Sequence, residues 1–385
     1  MAACKDQLAT YRRKRDFRHT PEPGSTSRRR KLAFRGRTGD GLPRQGSLRP
    51  DKGPQDPRDR HREKGESDVQ GRASKPARKS AAKSPAKRAG KSPSKSASNE
   101  IALTHPDRVL IPKPRVTKLA LAEFYSGIAE HLLPGIIGRP LSLVRCPDGV
   151  GKGCFFQKHS MQGMPESIRV GQQTNSKDEE EEYLYVDGIE GVMGLVQMNV
   201  IEIHPWGSTI ADLEHPDRLV FDLDPDIGIE WSRVKKAALL LRERLQAVGL
   251  ESFLRTTGGK GLHVVVPLDP RPDWETAKAF SQALARMLEQ ESPKEYVSVA
   301  TKSKRKGRIF VDYLRNARGS TAVSSYCVRA RQGAGVATPL HWGELSRLRS
   351  GAHYSIDNIG RRLKTMKDDP WAHIEEVRQA LPNTT

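Results

Sequence analysis

Apolar residues recur at helical spacing through residues 117–133, TKLALAEFYSGIAEHLL, behind Thr117 as N-cap, and predict an amphipathic helix. The short runs LSLVRC (141–146) and CFFQKH (154–159) predict two extended segments. The acidic run DEEEE (178–182) reads as a solvent-facing loop between these and the apolar segments YLYV and VMGLVQMNVIEIHPWG. RLVFDLDPD (218–226) is a buried-strand pattern that closes on carboxylates. A helix is predicted over 231–247, followed by the strand FLRTT, the turn GGKG and the strand LHVVVPL. A second helix over 274–290 and the strand RIFVDYL (308–314) complete the pattern. Strands and helices interleave without strict alternation, which predicts an α+β or mixed α/β domain. No internal repeat is present.

Charge divides this chain unevenly. Of 385 residues, 66 are Lys or Arg and 46 Asp or Glu, a formal net charge of +20. Residues 1–99 hold 28 of the basic and 10 of the acidic residues, so +18 of that charge lies in the first quarter. Between about residue 24 and 99 the chain alternates basic residues with Ser, Ala, Gly and Pro. Its last block, ASKPARKSAAKSPAKRAGKSPSKSASN, has no large apolar residue. Such a segment cannot bury enough surface to offset ordering entropy, so residues 1–99 are expected to be a disordered basic tail. It would bind a polyanion by counterion release, or act as a solubilising spacer. Residues 100–385 form the expected domain, near neutral and long enough for a sizeable core.

No apolar run approaches the ~18 residues of a membrane span, and the start MAACKDQLATYRRKRD has no apolar stretch of a secretory signal. The four cysteines, Cys4, Cys146, Cys154 and Cys327, show no C-x-x-C spacing. Reduced thiols in a cytoplasmic protein are expected, rather than a disulfide or a structural zinc.

Four elements carry chemistry. Asp222 and Asp224 are two apart on a strand and share a face, where two carboxylates repel unless a divalent cation sits between them. A D-x-D pair alone also suits metal-dependent glycosyl transfer. TTGGKGLHVVVPL (256–268) sets a Gly-rich turn with Lys260 between two strands and His263 at the start of the second. Backbone N–H groups, Lys260 and His263 would cradle phosphate there, unless the turn is a plain hairpin with a solvated lysine. It is not a Walker A loop, since the turn leads into a strand. Asp312 is a polar position in an apolar strand and needs a partner, which a shared metal would supply. Arg329 and Arg331 in VRAR would form a fork for phosphates if extended, or else a surface ion-pair set. Three carboxylates, a Gly-Lys-His cradle and paired arginines together favour two-metal nucleotidyl transfer over glycosyl transfer.

With those residues assembled, residues 101 to about 380 closely resemble the polymerase domain of bacterial DNA ligase D, in the archaeo-eukaryotic primase superfamily. The likeness runs through LTHPDRVL, TKLALAEFY, GRPLSLVRCPDG, CFFQKH, IEIHPWGS, HPDRLVFDLDPD, TTGGKGLHVVVPL, GRIFVDYLRN and VRARQGAGVATPLHW. It implies a primase-like domain built on an RRM-like catalytic sheet. It also implies nucleotide addition at breaks during non-homologous end joining, with two divalent ions, Mn²⁺ typically preferred over Mg²⁺. By this resemblance Asp222, Asp224 and Asp312 match metal-binding carboxylates, and Thr257, Lys260 and His263 match the segment that contacts the incoming NTP or dNTP. Arg329 and Arg331 match basic residues near its triphosphate. His204 matches a histidine near the active centre, or is an ordinary turn-capping histidine. Arg108 and Lys118 match the pocket for the 5′-phosphate of gapped or broken DNA. Phe155 and Phe156 match aromatics that stack on the template, although at least one is expected in the core. Ser324-Ser325-Tyr326-Cys327 departs from the family's usual Ala-Pro-Tyr-Ser.

LATYRRKRDFRHTPEPGS (8–25) faintly resembles the opening of a phosphoesterase domain, a vestige without that domain's metal-binding segments. No Lys-x-Asp-Gly ligase segment is found, so a separate ATP-dependent ligase, with Ku as a further partner, would act alongside. The expected location is cytoplasmic and nucleoid-associated. The alternative from another class is a non-catalytic module that bridges DNA ends by their 5′-phosphates; such a binder has no need of three clustered carboxylates.

Overall fold

The computed structural model describes residues 103–174, 179–269 and 271–382. The expectations placed on residues 1–99 lie outside the described residues. The ordered chain opens with a small antiparallel ribbon, β1 (Val109–Ile111) and β2 (Val116–Thr117), leading into helix α1 (Lys118–Gly127). Thr117 caps it as expected, its hydroxyl oxygen accepting the Ala120 N–H at 3.1 Å. The predicted helix is broken at Ile128 and resumes as the single turn α2 (Ala129–Leu132).

The first sheet contains β3 (Leu141–Arg145), β4 (Phe155–Gln157), β5 (Arg169–Thr174), β6 (Glu180–Tyr185) and β7 (Val200–Pro205), in the order β4-β3-β6-β5 with β7 also on β3. Two expectations are corrected here. Glu180–Glu182 are not loop but the start of β6, paired residue for residue with β5 from Thr174↔Glu180 onward. Charged side chains suit such an outlying pair, where they discourage further strand addition. Cys146 and Cys154 form a disulfide. Antiparallel pairing of β3 with β4, in the register Arg145↔Phe155, sets the two flanking cysteines opposite each other with Cα atoms 4.4 Å apart. Spacing along the chain could not show that. Cys327 is a free, buried thiol. The apolar stretch 192–207 divides into the end of helix α3 (Ile189–Gln197) and β7, separated by Asn199 with φ +61°.

The second sheet follows the sequence reading closely. β8 (Arg218–Pro225), helix α4 (Trp231–Ala247), β9 (Phe253–Thr256), β10 (Leu262–Pro267), helix α5 (Trp274–Glu291), β11 (Tyr296–Val297), β12 (Ile309–Asp312) and β13 (Pro339–Leu340) form a six-stranded sheet ordered β11-β12-β8-β10-β9-β13. Its central four strands have the β-α-β-β-α-β connection of a split βαβ unit, the RRM-like sheet the resemblance implied. Leu219, Phe221, Leu223, Leu262, Val264 and Val266 lie in one core with Val234 and Leu241 of α4 and Phe280 and Leu284 of α5. Alternation then puts Asp222, Asp224 and His263 on the opposite face. The strand predicted over 308–314, β12, ends two residues early, Leu314 falling in a short 3₁₀ turn.

The first sheet has its own core, built on Leu121, Tyr125, Leu143, Leu195, Ile201 and their neighbours. Between the sheets Arg139, just before β3, makes a two-pronged ion pair with Asp217, just before β8, at 3.0 and 2.6 Å. Among the described residues no helix is long and apolar enough to cross a membrane.

Candidate active site

Strand register assembles the site. Arg255 of β9 lies opposite His263 of β10, His263 opposite Asp222 of β8, and Asp222 opposite Asp312 of β12. Four polar side chains thus form one row straight across the open face of the sheet, while each strand's alternate residues fill the core below. Asp224 lies two residues along β8 on the same face. The Asp222 carboxylate is 3.5 Å from His263 Nε2 and 3.9 Å from Arg315, and Arg315 reaches Asp312 at 2.9 Å. Asp224 meets Lys260 Nζ at 2.9 Å and is also paired with Arg305.

The electrostatics follow from this packing. Burial works to raise the Asp222 pKa, yet His263 and the guanidinium groups of Arg315 and Arg329 hold it down at about 2. Burial pushes His263 down to about 4, so its ring is neutral near pH 7. Asp312 is raised, chiefly by burial, with Arg315 opposing the shift.

The glycine turn differs from the expected phosphate cradle. Thr257 Oγ1 accepts the N–H groups of Gly259 and Gly261, each at 3.2 Å, so those two backbone donors are already used. Lys260 instead donates to the Pro225 carbonyl at 2.7 Å as well as pairing with Asp224. The turn is tight for a physical reason: a Cβ on Gly261 would lie 2.2 Å from the Leu223 carbonyl oxygen. The arginine fork is not extended, since residues 329–331 bend, with the Arg331 N–H donating to the Arg329 carbonyl. Both arginines still border the turn. Arg329 donates to the Thr257 carbonyl at 2.7 Å, and the Arg331 guanidinium packs over Gly259.

His204 on β7 faces the row from the other sheet. Its Nε2 lies 2.7 Å from Glu202, which also pairs with Arg329 at 3.0 Å and accepts the Ala330 N–H. Burial opposes ionisation of Glu202, but His204 and Arg329 hold its pKa at about 2. Phe156 meets the His204 ring edge-on at 5.5 Å, and Arg145 lies over Phe155. Neither phenylalanine is core, against expectation: Phe155 is 49% and Phe156 61% exposed. The short strand β4 carries them at the edge of the first sheet. Asp222, His263, Arg315, His204, Arg329 and Phe156 line one cleft of about 390 Å³.

Arg108 and Lys118 come together away from this cleft. The Lys118 N–H donates to the Arg108 carbonyl, and the positive charge of Arg108 adds to burial in lowering the lysine's pKa. Lys118 is only 2% exposed and donates to the Thr104 carbonyl at 3.0 Å; Arg108 donates to the Pro147 carbonyl. Neither forms a carboxylate ion pair among the described residues.

The donor set suits a hard divalent cation: three carboxylates on one face, two of them directly opposite on adjacent strands. As placed, no three acidic, His or Cys side chains among the described residues converge on one point. Arg305, Arg315 and Lys260 neutralise the carboxylates instead. Sequence reasoning missed Arg305, Arg315, Glu202 and Arg255. Arg315 and Glu202 had local signals, Arg315 three residues beyond Asp312 in the turn after its strand and Glu202 two residues before His204 on one face of β7; Arg305 and Arg255 are placed only by tertiary packing.

Comparison with known proteins places this geometry. Residues 117–371 match the family model described as LigD, primase-polymerase domain. The multifunctional non-homologous end joining protein LigD of Pseudomonas aeruginosa is 39% identical over 283 residues, 73% of this chain and 34% of that protein. Its counterpart from Mycolicibacterium smegmatis is 32% identical over 272 residues, 70% of this chain and 35% of that one. The chain therefore spans about a third of the length of these relatives. The solved polymerase domain of Mycobacterium tuberculosis ligase D, in complex with DNA, superposes with a TM-score of 0.66 at 30% identity, covering 73% of this chain and all of that one. The chain belongs to the LigD primase-polymerase domain family.

Proposed function

We propose that this domain is a nucleotidyltransferase that adds NTP or dNTP units to a 3′-hydroxyl of DNA at gaps and broken ends during end joining. The observation that carries the reading is the row of Asp222 and Asp312 with Asp224 beside it, Asp222 itself lining a cleft walled by His204, Arg329 and exposed Phe156. In the reaction a 3′-oxygen attacks the α-phosphorus, a P–O bond forms, and pyrophosphate leaves. Two Mn²⁺ or Mg²⁺ ions held by Asp222, Asp224 and Asp312 would lower the pKa of the attacking hydroxyl and neutralise the leaving group. Lys260, Arg329 and Arg331 surround the glycine turn with positive charge for the triphosphate. Because Thr257 occupies two of the turn's N–H groups, side-chain charge rather than backbone donors does most of that binding. Arg305 and Lys260 must yield Asp224 as an ion is held, so they are counter-charges of the free site. Phe155 and Phe156 offer stacking faces to template bases, a contact worth about 1–3 kcal/mol per base. Arg108 has no carboxylate partner among the described residues and would suit a 5′-phosphate of gapped DNA, with Lys118 leaving the Thr104 carbonyl to join it. Sealing would then fall to an ATP-dependent ligase, with Ku as an end-binding partner.

The test is primer extension on a gapped duplex with a downstream 5′-phosphate, in Mn²⁺ and in Mg²⁺, with ribo- and deoxyribonucleotides. Asp224→Ala is expected to abolish extension while binding to the phosphorylated gap is largely kept. Extension that survives this change would refute the metal assignment. Tight gap binding by a wild type inactive under every condition would establish the end-bridging alternative.

A further inference from the structure

His263 is buried on both sides of its ring, and each ring nitrogen has a different neighbour. Nδ1 lies 3.0 Å from Arg255 Nε, and Nε2 lies 3.5 Å from Asp222 Oδ1. A guanidinium has donors and no acceptor. Nδ1 must therefore accept, and a neutral ring must carry its proton on Nε2, on the side of Asp222 and the cleft. Arg255 is itself held. It is 6% exposed, its NH1 donates to Ser325 Oγ at 3.2 Å, and its guanidinium lies 5.5 Å from the Trp371 ring centroid. It makes no carboxylate ion pair among the described residues. A buried guanidinium without a paired carboxylate is expensive to keep, and is not explained by stability alone.

We infer that Arg255 is a positioning residue that fixes His263 as the Nε2–H tautomer, presenting a hydrogen-bond donor to the reaction cleft. Ser325, within the tetrapeptide where this chain departs from the family's usual sequence, supplies the oxygen that orients Arg255. The relay runs Ser325, Arg255, His263, Asp222, three of these being successive members of the cross-strand row. Without Arg255, either ring nitrogen would carry the proton, and the tautomer with a bare Nε2 would set a lone pair against the Asp222 carboxylate. The assignment of the tautomer stands on geometry alone; its effect on turnover rests on the proposed nucleotidyl transfer.

The experiment reads the two parts separately. Long-range ¹H–¹⁵N correlation on the ¹⁵N-histidine-labelled protein, free of DNA and nucleotide, reports which nitrogen of His263 is protonated. The wild type is expected to show Nε2–H alone, and Arg255→Met a mixture or Nδ1–H, with the His204 signals unmoved as an internal control. Primer extension by Arg255→Met is expected to fall about 10–100-fold, the size of loss seen when a partner that orients a metal-ligating histidine is removed. Ser325→Ala, which keeps the Arg255–His263 bond but frees its far end, should give a smaller loss in the same direction. If Arg255→Met does not fold, Arg255→Gln, whose amide can accept from Nδ1–H as readily as donate to Nδ1, carries the same two readouts, while Arg255→Lys, which keeps a donor and no acceptor, should hold the Nε2–H tautomer. A wild-type His263 protonated on Nδ1, or a tautomer unchanged in every variant, would overturn the inference. A tautomer that shifts while the wild type extends no primer would overturn the proposed function and leave the positioning role intact.

Discussion

Asp222 can remain ionised in a buried place because of what lies sideways from it, not along the chain. Its neighbours His263 and Asp312 come from strands 41 and 90 residues away, and Arg315 closes the row. Gly261 is the residue that lets the glycine turn sit close enough for this. Its position 2.2 Å from the Leu223 carbonyl, measured to a notional Cβ, leaves no room for any side chain. Gly261→Ala should force β8 and the turn apart, destabilise the fold by roughly 1–3 kcal/mol, and lower nucleotide addition more than a stability loss of that size explains. Thermal unfolding and primer extension on one preparation would check this. An alanine variant with wild-type melting and activity would show that the turn is not packed as described.

At the scale of elements, periodicity made much of the fold legible. β8, α4, β10 and α5 were readable because each has a long, clean pattern, and the carboxylates on β8 stood out against an apolar run. What escaped was lateral or local. The acidic start of β6 looks like a loop because an exposed pair of strands has no apolar face to mark it. The Cys146–Cys154 bond depends on strand pairing. Arg255 lies in a short strand whose sequence, FLRTT, gives no hint that its arginine would be buried. The cap of α1 was legible and is testable. Thr117→Ala removes the acceptor of the Ala120 N–H and should cost about 1 kcal/mol, with Thr117→Ser restoring most of it. A melting temperature unchanged by the alanine would show that the cap contributes nothing.

Across the whole molecule, the buried Arg139–Asp217 pair joins the two sheets. Burial works to raise the Asp217 pKa, but Arg218 and Arg139 hold it well below the usual carboxylate range. A depressed carboxylate stabilises the fold fully above its unfolded pKa, about 3.9, and loses that contribution as the pH falls toward the folded value. Asp217→Asn should therefore destabilise the domain by about 3–5 kcal/mol near neutral pH, by leaving Arg139 buried and unpaired. The difference from wild type should shrink below about pH 4, where the unfolded wild-type carboxylate also takes up its proton. Denaturant melts from pH 7 to pH 3 would follow both arms; a difference independent of pH would rule out the ionised pair. The charge of the basic residues 1–99 would act over a longer range. Removing them should weaken binding to DNA at low salt and flatten its salt dependence without abolishing catalysis. An unchanged affinity and slope would show a spacer.

The walls of the cleft belong to different hydrophobic cores, His204 and Phe156 standing on one sheet and Asp222 and His263 on the other. Each core is a candidate for opening on its own, as separately packed regions of a protein commonly do. A DNA end seated across the cleft would touch both, and would add to the contacts that already join them, among them Arg139 with Asp217, Trp206 edge-on to Trp274, and Tyr354 packed against both cores. On the proposed function, substrate would then do more than fill the site: a ligand that binds only the folded state would stabilise the domain while bound, so the protein would be most robust when engaged with a break.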